Sequence, residues 1–351
     1  MVELRRGDVI RQTYTVEEHL GSGAFGDVYL VRHRYMGMQA MKVLDRADNP
    51  NDRDSGLQEA FVLSKIGHPN VVRIFEANHI HDSDESPLYV TMEFVKGADL
   101  EHLIDEHGGT YPMDQCISLM RQAAAGLAHA HGMDPVIVHR DIRPANLLIR
   151  HNQSGDELLV GDFGLAEHVN ESLGFLPSAG SIPYESPEGL EGYEGPASDV
   201  FSLAVCFFEL VTGSFPFDLS KDVSAYNESN FQQKIAVGHK KGHRSILSLR
   251  PNTPPEFVAA LRLSLAVDST LRLSDGLMLE DVLRRCENCL ASHPWPVNAD
   301  AQPASDVVIS MLESALRKKY VEDERLEANE LFAKIENLSS NLQGRFNCFI
   351  D

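Results

Sequence analysis

The sequence predicts an α+β chain, with strands gathered before residue 95 and helices mostly after it. Three observations carry this. Runs of β-branched and aromatic residues broken by turn signals fill 14–44 and 71–94. Long stretches with helical patterns occupy 117–131 and 199–213. A glycine-dense turn, Gly21-Ser22-Gly23-Ala24-Phe25-Gly26, runs on into the strand pattern Val28-Tyr29-Leu30-Val31. A dinucleotide-binding fold would open a helix there instead.

Composition narrows the classes of function. A chain of 351 residues can form two domains or one large bilobal one, and 43% hydrophobic with 24% charged residues is ordinary for a globular protein. A net charge of -21 argues against a nucleic-acid binder, because a phosphate backbone demands a Lys/Arg surface. No apolar run approaches membrane-spanning length, and Met1-Val2-Glu3-Leu4-Arg5-Arg6 leads into no secretory segment, so a cytoplasmic location is expected. Five scattered cysteines fit reduced thiols, and Cys286-x-x-Cys289 has no second pair to make a zinc site.

The elements follow in order. Tyr14-Thr15-Val16 through Leu30-Val31 form two strands around the glycine turn, whose backbone N–H groups can approach a phosphate chain closely. Met38-Gln39-Ala40-Met41-Lys42-Val43-Leu44 is a strand with one lysine in it. A polar loop, 45–56, precedes a helix with apolar positions Leu57, Phe61, Val62 and Ile66 and an acid, Glu59. Val71-Val72-Arg73-Ile74-Phe75 and Leu88 to Phe94 are strands joined by the polar loop 78–87, with His79 and His81 on an exposed tip. The helix 117–131 ends near Gly132. Then come Val136-Ile137-Val138, the polar His139-Arg140-Asp141-Ile142-Arg143-Pro144-Ala145-Asn146, and Leu147-Leu148-Ile149. Leu158-Leu159-Val160-Gly161 leads into Asp162-Phe163-Gly164, with Asp162 twenty-one residues after Asp141. The loop 165–188 holds Ser172, Ser178 and Ser181 and closes on Gly180-Ser181-Ile182-Pro183-Tyr184-Glu185-Ser186-Pro187-Glu188. A very apolar helix starts at Asp199, and Asp268-Ser269-Thr270-Leu271-Arg272 follows later. Beyond Asp300, Ser305 can cap a helix bearing Ile309, Leu312, Leu316 and Tyr320, and a second stripe runs through Leu331, Ile335, Leu338 and Leu342.

Taken together these motifs resemble the Hanks-type, eukaryotic-like protein kinase family, in its Ser/Thr branch, over about residues 14–292. The resemblance rests on the glycine loop G-x-G-x-x-G-x-V, the lysine strand, H-R-D-x-x-x-x-N, Asp-Phe-Gly and the Pro-Glu closing the loop, all in order. It implies a bilobal fold: a small antiparallel β lobe with one helix (1–95), a large mainly helical lobe (96–296) and a C-terminal helical extension (297–351). It implies ATP and Mg²⁺, with Mn²⁺ as a substitute, and a protein substrate with a Ser/Thr acceptor. Asp141 would act on the acceptor hydroxyl, Arg143 would steady the γ-phosphate, and Lys42, set by Glu59, would hold the α- and β-phosphates. Asn146 and Asp162 would hold the metal. Leu20, Gly21, Ser22, Gly23, Ala24, Phe25, Gly26, Val28, Ala40, Met92, Glu93, Val95, Asp99 and Leu148 would surround the nucleotide. Asp199 would bond the catalytic loop, and Arg272 would pair with Glu188.

The resemblance therefore implies transfer of a γ-phosphoryl group to protein hydroxyls, autophosphorylation included. The alternatives are a small-molecule phosphotransferase and a weakly catalytic pseudokinase scaffold. His139-Arg140-Asp141, Ser186-Pro187-Glu188, Asp199 and Arg272 speak against the first, and competent residues at every catalytic position speak against the second. Four departures stand out: Arg143 where Ser/Thr kinases carry Lys, Ala145 where many carry Glu, Ser181 for Thr and Ser186 for Ala. Arg keeps the cation with a more fork-like geometry. Arg140 would pair with a phosphate on Ser172 or Ser178. The stretch 305–343 either packs back on the core or meets a second copy or partner.

Overall fold

The computed structural model describes residues 3–23, 26–44, 64–81, 86–153, 155–163, 182–218, 228–295, 306–321, 345 and 348–349. Six strands open the chain: β1 (Val9–Ile10), β2 (Tyr14–Gly23), β3 (Gly26–His33), β4 (Gly37–Leu44), β5 (Ile74–His79) and β6 (Leu88–Glu93). They pair antiparallel in the order β1-β2-β3-β4-β6-β5.

Register gives this sheet two different faces. Val28 lies opposite Lys42 and Met92 opposite Ala40, so Val28, Ala40, Lys42 and Met92 share one face. The alternate residues Tyr29, Val31, Met41, Val43 and Tyr89 close a separate core with Ile10, Tyr14, Val16 and Ile80 on the other face. The first face instead joins the main core of the rest of the chain through Ala40, Leu44, Val90 and Met92. Gly26 lets the start of β3 approach the β4 backbone closely. Its φ is +129°, and a Cβ there would stand 1.9 Å from the Val43 carbonyl oxygen.

The strand expected at 71–75 begins only at Ile74. Val71 and Val72 are instead taken by the large lobe. Val160 N–H donates to Asn70 O at 2.9 Å, Val72 N–H donates to Val160 O at 2.9 Å, and Val71 forms a parallel bridge with Val160. A β-branched pair thus meets a different sheet from the one its own sequence neighbours join.

The large lobe carries β7 (Gly97–Asp99), β8 (Leu147–Asn152) and β9 (Gly155–Val160) as an antiparallel ribbon. Its helices are α1 (Leu100–His107), α2 (Met113–His131), α3 (Pro196–Thr212), α4 (Glu228–Lys241), α5 (Ile246–Leu249), α6 (Pro255–Ser264), α7 (Gly276–Ser292) and α8 (Asp306–Leu316). α3 is buried all round from Ser198 to Val211, as its unbroken apolar sequence requires. It ends at Gly213 in the left-handed conformation. α2 starts at Met113, four residues before the stretch its pattern marked, because Pro112 sets the turn into it.

The C-terminal part folds back on this lobe. α8 packs against α6, with Ile309, Leu312 and Leu316 buried. Further on, Arg345 enters the core and makes a two-pronged ion pair with Glu256, Nε–Oε1 3.0 Å and Nη2–Oε2 2.8 Å, beneath the Trp295 ring. Phe349 is buried beside it. The second stripe, Leu331 to Leu342, lies outside the described residues. Cys286 and Cys289 are buried thiols on α7, and burial pushes both well up. No group of three His, Cys, Asp or Glu among the described residues could hold a metal. No described helix is long and apolar enough to cross a membrane.

Candidate active site

Four chain segments meet between the two lobes. Lys42 Nζ on β4 donates to Asp162 Oδ2 at 2.8 Å, with only 7% of the lysine side chain exposed. Burial by itself would raise the Asp162 carboxyl. The Lys42 ammonium, by its charge and its hydrogen bond, with the charge of Arg143 behind it, holds it below the usual range instead. Asp162 has φ +56° and Arg140 φ +65°, left-handed conformations that cost a non-glycine residue about 1–3 kcal/mol each and persist only when over-determined.

The supports that over-determine them can be traced atom by atom. Asp199, at the start of α3, accepts the backbone N–H of His139 at 2.7 Å and that of Arg140 at 2.9 Å. His131 Nδ1 accepts the N–H of Gly276, so its proton sits on Nε2 and is donated to Asp199 Oδ2 at 2.9 Å. The same logic fixes His139. Nδ1 accepts the Asp141 N–H at 3.2 Å, leaving Nε2 to donate to Gly161 O at 2.7 Å. Gly161 N–H in turn donates to Asn146 O at 2.8 Å. The loop 139–146 and the triplet 161–163 are thereby joined at two points, with the Phe163 ring packed 4.5 Å from His139.

Asn146 Nδ2 donates to both Asp141 O, at 2.8 Å, and Asp141 Oδ2, at 2.9 Å. This aims the carboxylate and turns the Asn146 amide nitrogen toward it. Arg143 sits before the short 3₁₀ turn Pro144–Asn146, its charge felt at Asp162. Glu188 and Arg272 form the anticipated pair, Nη1–Oε1 2.6 Å, with the Arg272 side chain fully buried over the Phe201 ring.

The residues expected around a nucleotide come together in part. Ala40 and Met92 are buried in the interlobe core, and Val28, Val95 and Leu148 pack half-buried against it. Leu20 is 42% exposed at the rim. Ser22 Oγ donates to Asp27 Oδ1 at 2.6 Å, which stitches the glycine turn across its two strands and, more than any other cause, holds Asp27 below its usual range. Asp99 Oδ1 is engaged as the cap of α1, accepting His102 N–H at 2.9 Å. Glu93 turns its side chain to Arg150 rather than to the cleft. Ala24, Phe25, Glu59, Ser172, Ser178 and Ser181 lie outside the described residues.

Several residues of this region carry no motif. His131 and Gly276 brace Asp199 from 68 and 77 residues away, with nothing in the sequence to mark them. Glu185 and Glu194 form a second such pair. Burial raises Glu185 to about 9 and Glu194 to about 7, and Glu185 keeps the proton that it donates to Glu194. Glu194 faces Arg140, Nε–Oε2 3.7 Å, and both acids feel the Asp141 charge. The one sequence signal was an acid inside Ile182-Pro183-Tyr184-Glu185-Ser186-Pro187, which is otherwise uncharged.

With this geometry in hand, comparison with known proteins is direct. The model of the protein kinase domain matches residues 14–330. A probable serine/threonine-protein kinase PknB of Lactococcus lactis is 30% identical over 280 residues, 77% of this chain and 41% of that protein. Serine/threonine-protein kinase PknF of Mycobacterium tuberculosis is 34% identical over 237 residues, 65% of this chain and 48% of that protein. The chain thus spans less than half the length of these two curated relatives. The crystal structure of the Mycobacterium tuberculosis PknI kinase domain overlays with a TM-score of 0.59 at 24% identity, covering 80% of this chain and 99% of that one, a likeness of fold.

Proposed function

The chain belongs to the protein kinase domain family, and from that premise we propose that it transfers the γ-phosphoryl group of ATP to serine or threonine hydroxyls of proteins, its own included. The observation that carries this is the convergence of Lys42, Asp141, Asn146 and Asp162, from β4, the catalytic loop and the end of β9, on one interlobe site. The relatives named serine/threonine kinases support the choice of acceptor.

In this mechanism Asp141, aimed by the Asn146 amide, orients the acceptor hydroxyl and takes its proton. Arg143 steadies the transferred phosphate with a planar cation. Lys42 exchanges its bond to Asp162 for the α- and β-phosphates. The purine lies among Val28, Ala40, Met92, Val95 and Leu148, with its polar edge against the backbone of 93–95. A carboxylate at Asp162 and an amide oxygen at Asn146 are hard oxygen donors, suited to Mg²⁺ or Mn²⁺ brought in with phosphates. When bound, such a cation supplies charge neutralisation on the phosphate chain. Positioning and electrostatics then account for most of the rate.

Labelled ATP with Mg²⁺ and a generic protein substrate tests the proposal. Asp141→Asn should cut turnover about 10²–10⁴-fold while ATP binding is nearly kept. Wild-type turnover in that variant, or label reaching only small molecules, would sink it.

A further inference from the structure

The connection between the lobes is held by an ion pair that the kinase motifs do not include. Glu93 is the last residue of β6, where its backbone belongs to the small lobe: it pairs with Gln39 across the sheet, and its N–H donates to Arg73 O at 2.9 Å. Its side chain belongs to the large lobe. Glu93 Oε1 meets Arg150 Nη2 on β8, and the other arm of the guanidinium, Nη1, meets Glu157 Oε2 on β9 at 2.9 Å. Asn152 Nδ2 donates to the same Glu157 oxygen at 3.2 Å. One residue is thus bonded to both lobes at once.

The far end of the connection is fixed as well. Gly97 pairs with Arg150 in the β7–β8 ribbon, and a Cβ at Gly97 would stand 1.8 Å from the Ile149 carbonyl oxygen. Only Phe94, Val95 and Lys96 lie between these anchors, a reach of about 3.3–3.6 Å each when extended. Their backbone conformation is therefore set largely by where Arg150 holds Glu93. All three charged side chains are about one-quarter to one-third exposed, 27% for Arg150, 33% for Glu93 and 29% for Glu157. The contact is partly shielded from water and from salt.

We propose that Arg150 is a positioning residue for nucleotide binding, clamping Glu93 so that the backbone of 93–95 is preorganised for the purine. The inference rests on the reading of 93–95 as the purine-facing segment. Preorganisation of this kind acts on affinity, because an untethered connection must be ordered each time the nucleotide arrives. It touches neither Asp141 nor the acceptor, so the effect falls on KM for ATP more than on kcat.

The experiment is a double-mutant cycle on the whole chain with Glu93→Gln, Arg150→Gln and both together. Each reads KM for ATP, kcat, Tm and the exchange of the 94–97 amides by mass spectrometry. Each single change should raise KM for ATP about 3–10-fold, with a smaller change in kcat, and should speed amide exchange in the connection. The double variant should be no worse than the poorer single one, because the two residues act as one unit. Glu157→Gln, which leaves the Glu93–Arg150 contact in place, should have the smallest effect. Unchanged exchange in both singles, or additive KM effects in the double, overturns the proposal. Faster exchange with unchanged KM also overturns it, but does so by moving the purine away from 93–95 rather than by denying the ion pair. Should Arg150→Gln fail to fold, Glu93→Gln keeps shape while removing charge and decides the question with Glu157→Gln beside it.

Discussion

Two loops of the candidate site, one in each lobe, are supported in different ways. The catalytic loop, 139–146, is fastened from outside: Asp199 accepts two of its N–H groups, His139 reaches Gly161, and Gly161 returns a bond to Asn146. The described strand ends beside the glycine turn, 21–23 and 26–27, are held by pairing within the small sheet and by side-chain contacts among His19, Ser22 and Asp27. One loop is positioned by the core of its lobe; the flanks of the other are positioned by their own sheet. Catalysis by a general base needs the first kind of support, since a displacement of about 1 Å can cost 10²-fold.

That contrast can be broken from the rigid side. Asp199→Asn keeps the shape but turns one acceptor into a donor facing the N–H groups of residues 139 and 140. It should lower kcat about 10²-fold, with a much smaller change in KM for ATP. Steady-state kinetics at several ATP concentrations would show it. Equal losses in both parameters would mean that the two loops are not separately supported.

A smaller effect probes the acids beneath the catalytic loop. In the folded chain Glu185 is raised to about 9 and Glu194 to about 7, while both titrate near 4.5 when unfolded. Between those limits the folded state holds more protons than the unfolded one, so stability is fully present below about pH 4.5 and falls as pH rises. Glu185→Gln imitates the protonated form and lacks this penalty. Its advantage over wild type in urea denaturation should widen from pH 5 to pH 9, by at most about 1.4 kcal/mol per pH unit. A constant or shrinking difference would show that the pair shares no proton.

The least change is expected from the glycine-turn side. Ser22→Ala removes the bond to Asp27 and should raise KM for ATP about two- to fivefold with kcat nearly kept. An effect larger than that of Asp199→Asn would invert the comparison between the loops.

The candidate site was legible because its residues lie in short motifs at fixed spacing: Asp141 and Asn146 in one loop, Asp162 after a strand, Lys42 within one. The strands β3 and β4 were readable too, from their β-branched and aromatic runs. What escaped was every contact made by a residue with no neighbouring signal. Val71 and Val72 read as a strand, but Val72 N–H bonds Val160 on β9 while Val71 N–H turns back to His68, because sequence pattern reports a preference for extended backbone and not its partner. His131, Glu194 and Arg150 look like surface residues in sequence, and only folding brings them to Asp199, Arg140 and Glu93. The stripe Ile309, Leu312 and Leu316 announced a helix but could not name α6 as its cover.

The Arg345–Glu256 pair has a consequence for the order of events during synthesis. Glu256 leaves the ribosome 89 residues ahead of its counterion, which at roughly 5–20 residues per second is a wait of about 4–18 s. For that time its carboxylate has no arginine beside it, and closing α6 over an unpaired charge costs several kcal/mol. The pair therefore favours closing α6 over Glu256 after residue 345 has emerged rather than before.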